Sequence, residues 1–288
     1  IIAKPSDVCV YIIMDNSAQN GWIAELELRF SKSKSKTFLS TRKHIGPLTI
    51  QRPFYPEGDL CHLYLLHPPG GIVGGDQLSI EVNTDSNSSS LLTTPGATKV
   101  YRTSDHKHST INQNFIVAED SSFEWLPMET IVFPGANSQF SSKLLLSGNA
   151  RVAAWEVYCL GRPAINESFD FGSLNFSLEL WRDGMPILLD KLMIDKTELE
   201  SVVGLRGFPV FGTFIISKTN KKVLETVRTM MIETDSCVTG VTQIEDIIIV
   251  RSLAKKTYLM QDLFKKIWQT VRPLVFNREA TIPRIWAT

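Results

Sequence analysis

Alternation is the feature that most restricts what this chain can become. In Ala24-Glu25-Leu26-Glu27-Leu28-Arg29-Phe30, apolar and charged residues take turns without a break. A helix would scatter the apolar members around its circumference. A strand, whose successive side chains point to opposite faces, gathers Ala24, Leu26, Leu28 and Phe30 on one side. Leu174-Asn175-Phe176-Ser177-Leu178-Glu179-Leu180 repeats the pattern. Segments 60–66, 77–82, 91–94, 111–117, 152–160, 187–193 and 247–250 read as further strands. Gly, Pro, Asn or Ser clusters divide them at the spacing expected of an antiparallel all-β architecture. Two segments depart from period two. Val223, Leu224, Val227, Met230 and Met231 fall on one face of a helix over 221–233. Leu259, Met260, Leu263, Phe264, Ile267, Trp268 and Val271 mark a second helix, which Pro273 should end or kink. The expected fold class is therefore mainly β, with two α-helices in the C-terminal third.

Charge and cysteine usage narrow the function classes. Thirty Lys and Arg residues balance thirty Asp and Glu residues among the 288, so no overall field draws the chain to nucleic acid or a membrane surface. Lys32, Lys34 and Lys36, interleaved with serines, read as a solvated hairpin tip. Cys9, Cys61, Cys159 and Cys237 form no C-x-x-C pair, which argues against a structural zinc site or a disulfide framework and for reduced thiols in the cytoplasm. The apolar run 8–14 is too short to span a bilayer, ends at Asp15 and lacks a small-residue cleavage site, so neither a membrane span nor a secretory signal is expected.

The densest motif is His67-Pro68-Pro69-Gly70-Gly71-Ile72-Val73-Gly74-Gly75-Asp76. A phosphate-binding loop would need Gly-Lys-Ser/Thr after its glycines, and here Asp76 and Gln77 follow Gly75. A dinucleotide fingerprint would need a βαβ unit, whereas both flanks read as strands. What remains is a tight bend that presents Asp76, and with it His67, at a fixed position, or a turn whose Asp caps its own backbone.

Hydrolase signatures are absent: the chain has no G-x-S-x-G elbow and no H-E-x-x-H. His106 and His108 flank Lys107 and could touch one metal from a strand edge, or simply lie in an exposed loop. Cys61 and His62 are adjacent, so on a strand they face opposite ways; His44 has no partner nearby in sequence. Three carboxylates sit in apolar surroundings: Glu156 within Val152-Ala153-Ala154-Trp155-Glu156-Val157-Tyr158, Asp190 after Ile187-Leu188-Leu189, and Glu129 after Trp125-Leu126-Pro127-Met128. A buried carboxylate needs an ion pair, hydrogen bonds or a cation, so each of these asks for a partner.

The Gly-rich bend resembles the signature loop of the urease accessory family UreD, also called UreH. Gly46-Pro47-Leu48-Thr49-Ile50-Gln51-Arg52-Pro53-Phe54-Tyr55-Pro56-Glu57 precedes it. Thr93-Thr94-Pro95-Gly96-Ala97-Thr98-Lys99-Val100-Tyr101-Arg102 and Glu124-Trp125-Leu126-Pro127 follow in the family's order. Phe133-Pro134-Gly135-Ala136, Leu160-Gly161-Arg162-Pro163 and the terminal Pro283-Arg284-Ile285-Trp286-Ala287-Thr288 complete the set. The resemblance runs from Gly21-Trp22 to the last residue.

It implies an elongated helical stack of β-sheets and a non-enzymatic role in the cytoplasm. The expected partners are the urease structural subunits and the accessory proteins UreF and UreG, UreG being the GTPase. The resemblance further implies nickel in transit rather than a tightly bound cofactor, along an internal channel on which motif position places Asp76, Glu156 and Asp190, with Thr98 as a polar neighbour. The C-terminal region, with Leu274-Val275-Phe276, is a candidate UreF contact. Family members begin near Met14, so residues 1–20 are expected to be a disordered extension and 21–288 a single β-rich domain. Two other classes stay in view: a β-rich module binding a small ligand, and a metal-dependent hydrolase.

Overall fold

The computed structural model describes residues 21–103 and 107–287. The extension expected over the first 20 residues lies outside them, as does His106. The described residues form eighteen strands and three α-helices. The first strands are β1 (Ile23–Ser33), β2 (Lys36–Ile45), β3 (Thr49–Ile50), β4 (Cys61–Leu66), β5 (Gln77–Thr84) and β6 (Ser89–Thr93). Next come β7 (Thr98–Val100), β8 (Ser109–Val117), β9 (Ser122–Trp125), β10 (Thr130–Val132), β11 (Asn137–Leu146) and β12 (Arg151–Leu160). The C-terminal part holds β13 (Ser173–Arg182), β14 (Met185–Ile194), α1 (Lys196–Glu200), β15 (Val210–Ile216), α2 (Lys221–Arg228), β16 (Glu233–Thr234), β17 (Cys237–Ile244), β18 (Ile247–Ala254) and α3 (Thr257–Phe276).

These strands wind between two stacked sheets. One runs β14-β13-β11-β8-β5-β1-β2, and the other, of eleven strands, β16-β17-β18-β15-β12-β9-β6-β4-β3, with β10 beside β12 and β7 beside β10. From β4 to β6 and from β8 to β9, β11, β12 and β13, the chain crosses repeatedly from one sheet to the other. Sheet neighbours are therefore about one turn apart and parallel: β5 with β8, β8 with β11, β11 with β13, β4 with β6, β6 with β9 and β9 with β12. The mainly β class stands, as a solenoid-like stack. The antiparallel pairing expected from turn spacing does not hold for this central stack. Antiparallel pairs flank it, as in β1 with β2, β13 with β14 and β12 with β15. Turn residues mark where a strand stops, and a short link can cross to the facing sheet as readily as it reverses within one.

Inward residues of both sheets form one core, with Leu26, Leu28, Phe30, Ile80, Phe115, Phe140 and Leu178 among them. A second core lies between the outer face of the eleven-stranded sheet and the helices, joining Trp155, Phe214, Val250, Val227, Phe264 and Trp268. This doubly covered position explains why β12 and β15 read as nearly unbroken apolar runs.

The helices differ in detail from expectation. α2 stops at Arg228, although Met230 and Met231 still pack on the second core. α1, Lys196–Glu200, has no apolar stripe to announce it, and Asp195 caps it by accepting from Thr197 N and Glu198 N. Pro273 does not end α3, which continues to Phe276. Proline withholds one N–H, but the buried Val275 and Phe276 keep the last turn on the sheet.

A fully buried arginine pins α3. The Arg272 Nε donates to both Glu124 oxygens, at 3.2 and 3.0 Å, and its terminal nitrogens reach Glu124 and Glu57 at 2.9 Å. The indole of Trp268 also donates to Glu124, at 2.6 Å. Just past the helix, Arg278 makes paired 2.6 Å bonds to Asp59. Trp286 then donates to Thr93 Oγ1 at 2.9 Å. Removing one member of a buried ion network leaves its partners charged and unpaired. Arg272→Met is therefore expected to lower unfolding stability by about 3–5 kcal/mol in urea titrations. A loss below about 1 kcal/mol would show that α3 is held by apolar packing alone.

Candidate functional site

The Gly-rich bend links β4 to β5 and is stitched to its surroundings by main-chain bonds. Ile72 N donates to Lys99 O and Tyr101 N donates back to Ile72 O, both at 2.7 Å, so the bend lies beside β7 like a further strand. Asp76 is buried, and both carboxylate oxygens accept main-chain N–H groups at 2.8 Å, Oδ1 from Trp22 and Oδ2 from Val73. Asp76 thus caps its own turn and ties it to the start of β1. Gly75 has φ +96°, and a methyl group at Gly21 would lie 2.2 Å from the Gly75 carbonyl carbon. Two glycines are needed for that close crossing.

Between the sheets lies a cavity of about 60 Å³, lined by Glu156, Thr98, His67, Gln113, Tyr158, Thr130 and apolar neighbours. That is room for a few water molecules. Strand register assembles it. Thr98 pairs with Thr130 across β7 and β10, and Thr130 with Tyr158 across β10 and β12, so the three occupy one row. Along β12, Ala154 and Tyr158 belong to the inter-sheet core while Trp155 and Val157 face the helices. Glu156 falls on the inward parity.

Its carboxyl group is held on both oxygens. Gln113 Nε2 donates to Oε1 at 3.1 Å, Ser142 Oγ bonds the same oxygen, and the Tyr158 hydroxyl donates to Oε2 at 2.9 Å. Loss of solvation raises its pKa despite these bonds. The Tyr158 hydroxyl is pushed well above its ordinary value by burial and by the Glu156 charge. Burial lowers the half-buried His67, with the Asp76 carboxylate pulling the other way, so the imidazole facing the cavity is neutral near pH 7.

The structure therefore brings Glu156, Thr98 and His67 to one cavity, with Asp76 behind His67 in the bend. Asp190 lies apart, on the edge strand β14, and accepts from Arg251 Nε and a terminal nitrogen at 3.1 and 2.9 Å. Glu129 bonds Gln261, His62 bonds Glu57 at 2.8 Å, and His108 is exposed. Among the described residues, no three His, Cys, Asp or Glu side chains lie close enough to hold a metal ion. Gln113 and Ser142 escaped the sequence reading, although a signal was present. Gln113 interrupts the inward row Ile111, Phe115 and Val117, and Ser142 stands between inward Phe140 and Leu144.

The family model described as "UreD urease accessory protein" matches residues 23–287. The urease accessory protein UreD of Citrobacter koseri is 42% identical over 268 residues, covering 93% of this chain and 92% of the relative. That of Enterobacter sp. strain 638 is 43% identical, covering 93% and 96%, and that of Klebsiella aerogenes 39% identical, covering 94% and 98%. A match that runs from the first strand to the terminal Trp286 segment, over nearly the whole length of each relative, makes this chain a member of the UreD family of urease accessory proteins.

Proposed function

We propose that this chain serves urease maturation as a non-catalytic cytoplasmic scaffold. It binds the urease apoprotein and the accessory proteins UreF and UreG, and it offers Ni²⁺ a path through the inter-sheet cavity. Glu156 is the observation that carries the reading: a carboxyl group inside the stack, facing a cavity with hydroxyl, amide and imidazole neighbours. Carboxylate and hydroxyl oxygens are weak, exchangeable partners for a transition-metal ion, whereas clustered thiolates or imidazoles would retain it. An arriving cation also favours the ionised carboxyl that burial disfavours. Asp76 supports the path by position, holding the bend that carries His67. Asp190 can take part only by leaving Arg251, which gives it a smaller role than Glu156.

Co-expression with the urease subunits, UreF and UreG tests this. Glu156→Gln keeps the side-chain shape and removes the charge; it is expected to leave co-purification intact while lowering the nickel content of urease several-fold. Asp190→Asn should lower it less. Full nickel loading by the Glu156→Gln protein would overturn the path.

The same variant has a pH signature. Burial raises the folded pKa of Glu156 above its ordinary 4.5. Its favourable contribution to stability is therefore complete below about 4.5 and is lost as pH rises through the folded value. Glu156→Gln is expected to need more urea to unfold than the parent at alkaline pH, with the difference closing as pH falls toward 4.5. A difference that stays constant with pH would mean that this carboxyl is solvated.

A further inference from the structure

Among the described residues, three tryptophans are buried: Trp125, Trp155 and Trp268. Trp155 donates its indole N–H to Pro127 O at 2.8 Å, and Trp268 donates to Glu124 at 2.6 Å. The indole N–H of Trp125 has no hydrogen-bond partner. Packing does not require that nitrogen. The Trp125 ring lies against Phe115 in the inter-sheet core, 5.2 Å between centroids, where a phenylalanine would fill much of the same space. A buried donor left unbonded costs stability, so it asks for an acceptor.

Trp125 lines the cavity that Glu156 faces. Its N–H helps to stabilise the Glu156 charge, but the two groups do not meet in hydrogen-bond geometry. The carboxylate has a matching gap. Such a group offers about four lone-pair positions, two on each oxygen. Gln113 and Ser142 fill both on Oε1, and Tyr158 fills one on Oε2. Gln113 also donates to Ser142 Oγ at 3.0 Å, which closes that side. One acceptor position on Oε2 and one donor on Trp125 remain, and both residues border the same cavity of about 60 Å³.

Few guests serve both groups. An anion is repelled by Glu156. A bare cation or an ammonium group has no lone pair to offer the indole N–H. A divalent cation that keeps part of its water meets both conditions, with its charge toward Oε2 and a water oxygen toward Trp125. The cavity has room for an ion of that kind, because it holds a few water-sized groups.

We propose that the Trp125 indole N–H is the second contact of the cation station at Glu156, positioning the ion through one of its water molecules. The inference rests on the nickel-path reading and adds to it a residue that never touches the metal. Glu156 attracts the charge, and Trp125 orients the hydrated ion in the cavity. Gln113 and Ser142 keep Oε1 occupied, so the metal meets Oε2 alone. A single oxygen is a weak hold, suited to passage rather than storage.

Trp125→Phe removes the N–H and keeps a ring in the core. Because the donor is unbonded in the resting protein, this variant is expected to unfold at the parent's urea midpoint or above it. Co-expressed with the urease subunits, UreF and UreG, it should co-purify like the parent while lowering the nickel content of urease several-fold. A second readout is the indole N–H signal in NMR spectra of the full chain titrated with Ni²⁺, whose unpaired electrons broaden nearby proton signals. The Trp125 signal, the one missing from Trp125→Phe, is expected to broaden before those of Trp155 and Trp268. In Glu156→Gln that broadening should disappear. An earlier urea midpoint with full nickel loading would mean that the N–H holds a structural water only, and would overturn the proposal. So would a parent chain in which no buried indole signal responds to Ni²⁺, a measurement that needs no change at Trp125. Full loading by Trp125→Phe beside a several-fold loss in Glu156→Gln would remove this inference and leave the path standing. Full loading by both would remove the path and this inference with it.

Discussion

The Arg272 network sets the conditions under which the rest of the molecule operates. By gripping Glu124 on β9 and Glu57 in the segment before β4, it holds α3 against the outer face of the eleven-stranded sheet. That cover buries β12 on its second face. On this doubly covered strand Glu156 points to the interior, where loss of solvation raises its pKa. The ion network is expensive to desolvate and is compensated by several hydrogen bonds on each carboxylate. It links the C-terminal helix to the cavity without touching it.

Winding between two sheets has a second consequence. Each turn contributes one inward row, so polar residues on successive turns can line up along the stack. Thr98, Thr130 and Tyr158 show this directly, and Gln113, Ser142 and Glu156 meet from three strands of two sheets. A chain folded into hairpins would have placed sequence neighbours side by side instead. The stack turns distant polar residues into an interior row.

Much of this was legible locally. The alternation at 24–30 and 174–180 predicted β1 and β13 because burial of one sheet face imposes period two on any half-buried strand. Asp76 was readable as a turn cap from its glycines, and both its oxygens serve that purpose. Glu156 stood out as a carboxylate in an apolar strand, and it is buried as that context required. Asp190 stood out for the same reason but is an edge residue with an arginine partner, because the run before it belongs to the least covered strand of its sheet. Apolar context alone does not distinguish a central strand from an edge.

The sequence by itself determined the strands, the faces they bury, the two longer helices and the family. Each of these depends on residues close together in the chain or on an ordered set of motifs. Only the tertiary structure decided that the central strands run parallel, that Pro273 stays inside α3, and that Glu156 meets Thr98 and His67 while Asp190 does not. These outcomes depend on which strand lies beside which and on what covers it. Strand pairing is a long-range choice, made by the packing of whole sheets and helices, and periodicity within one segment carries no record of it.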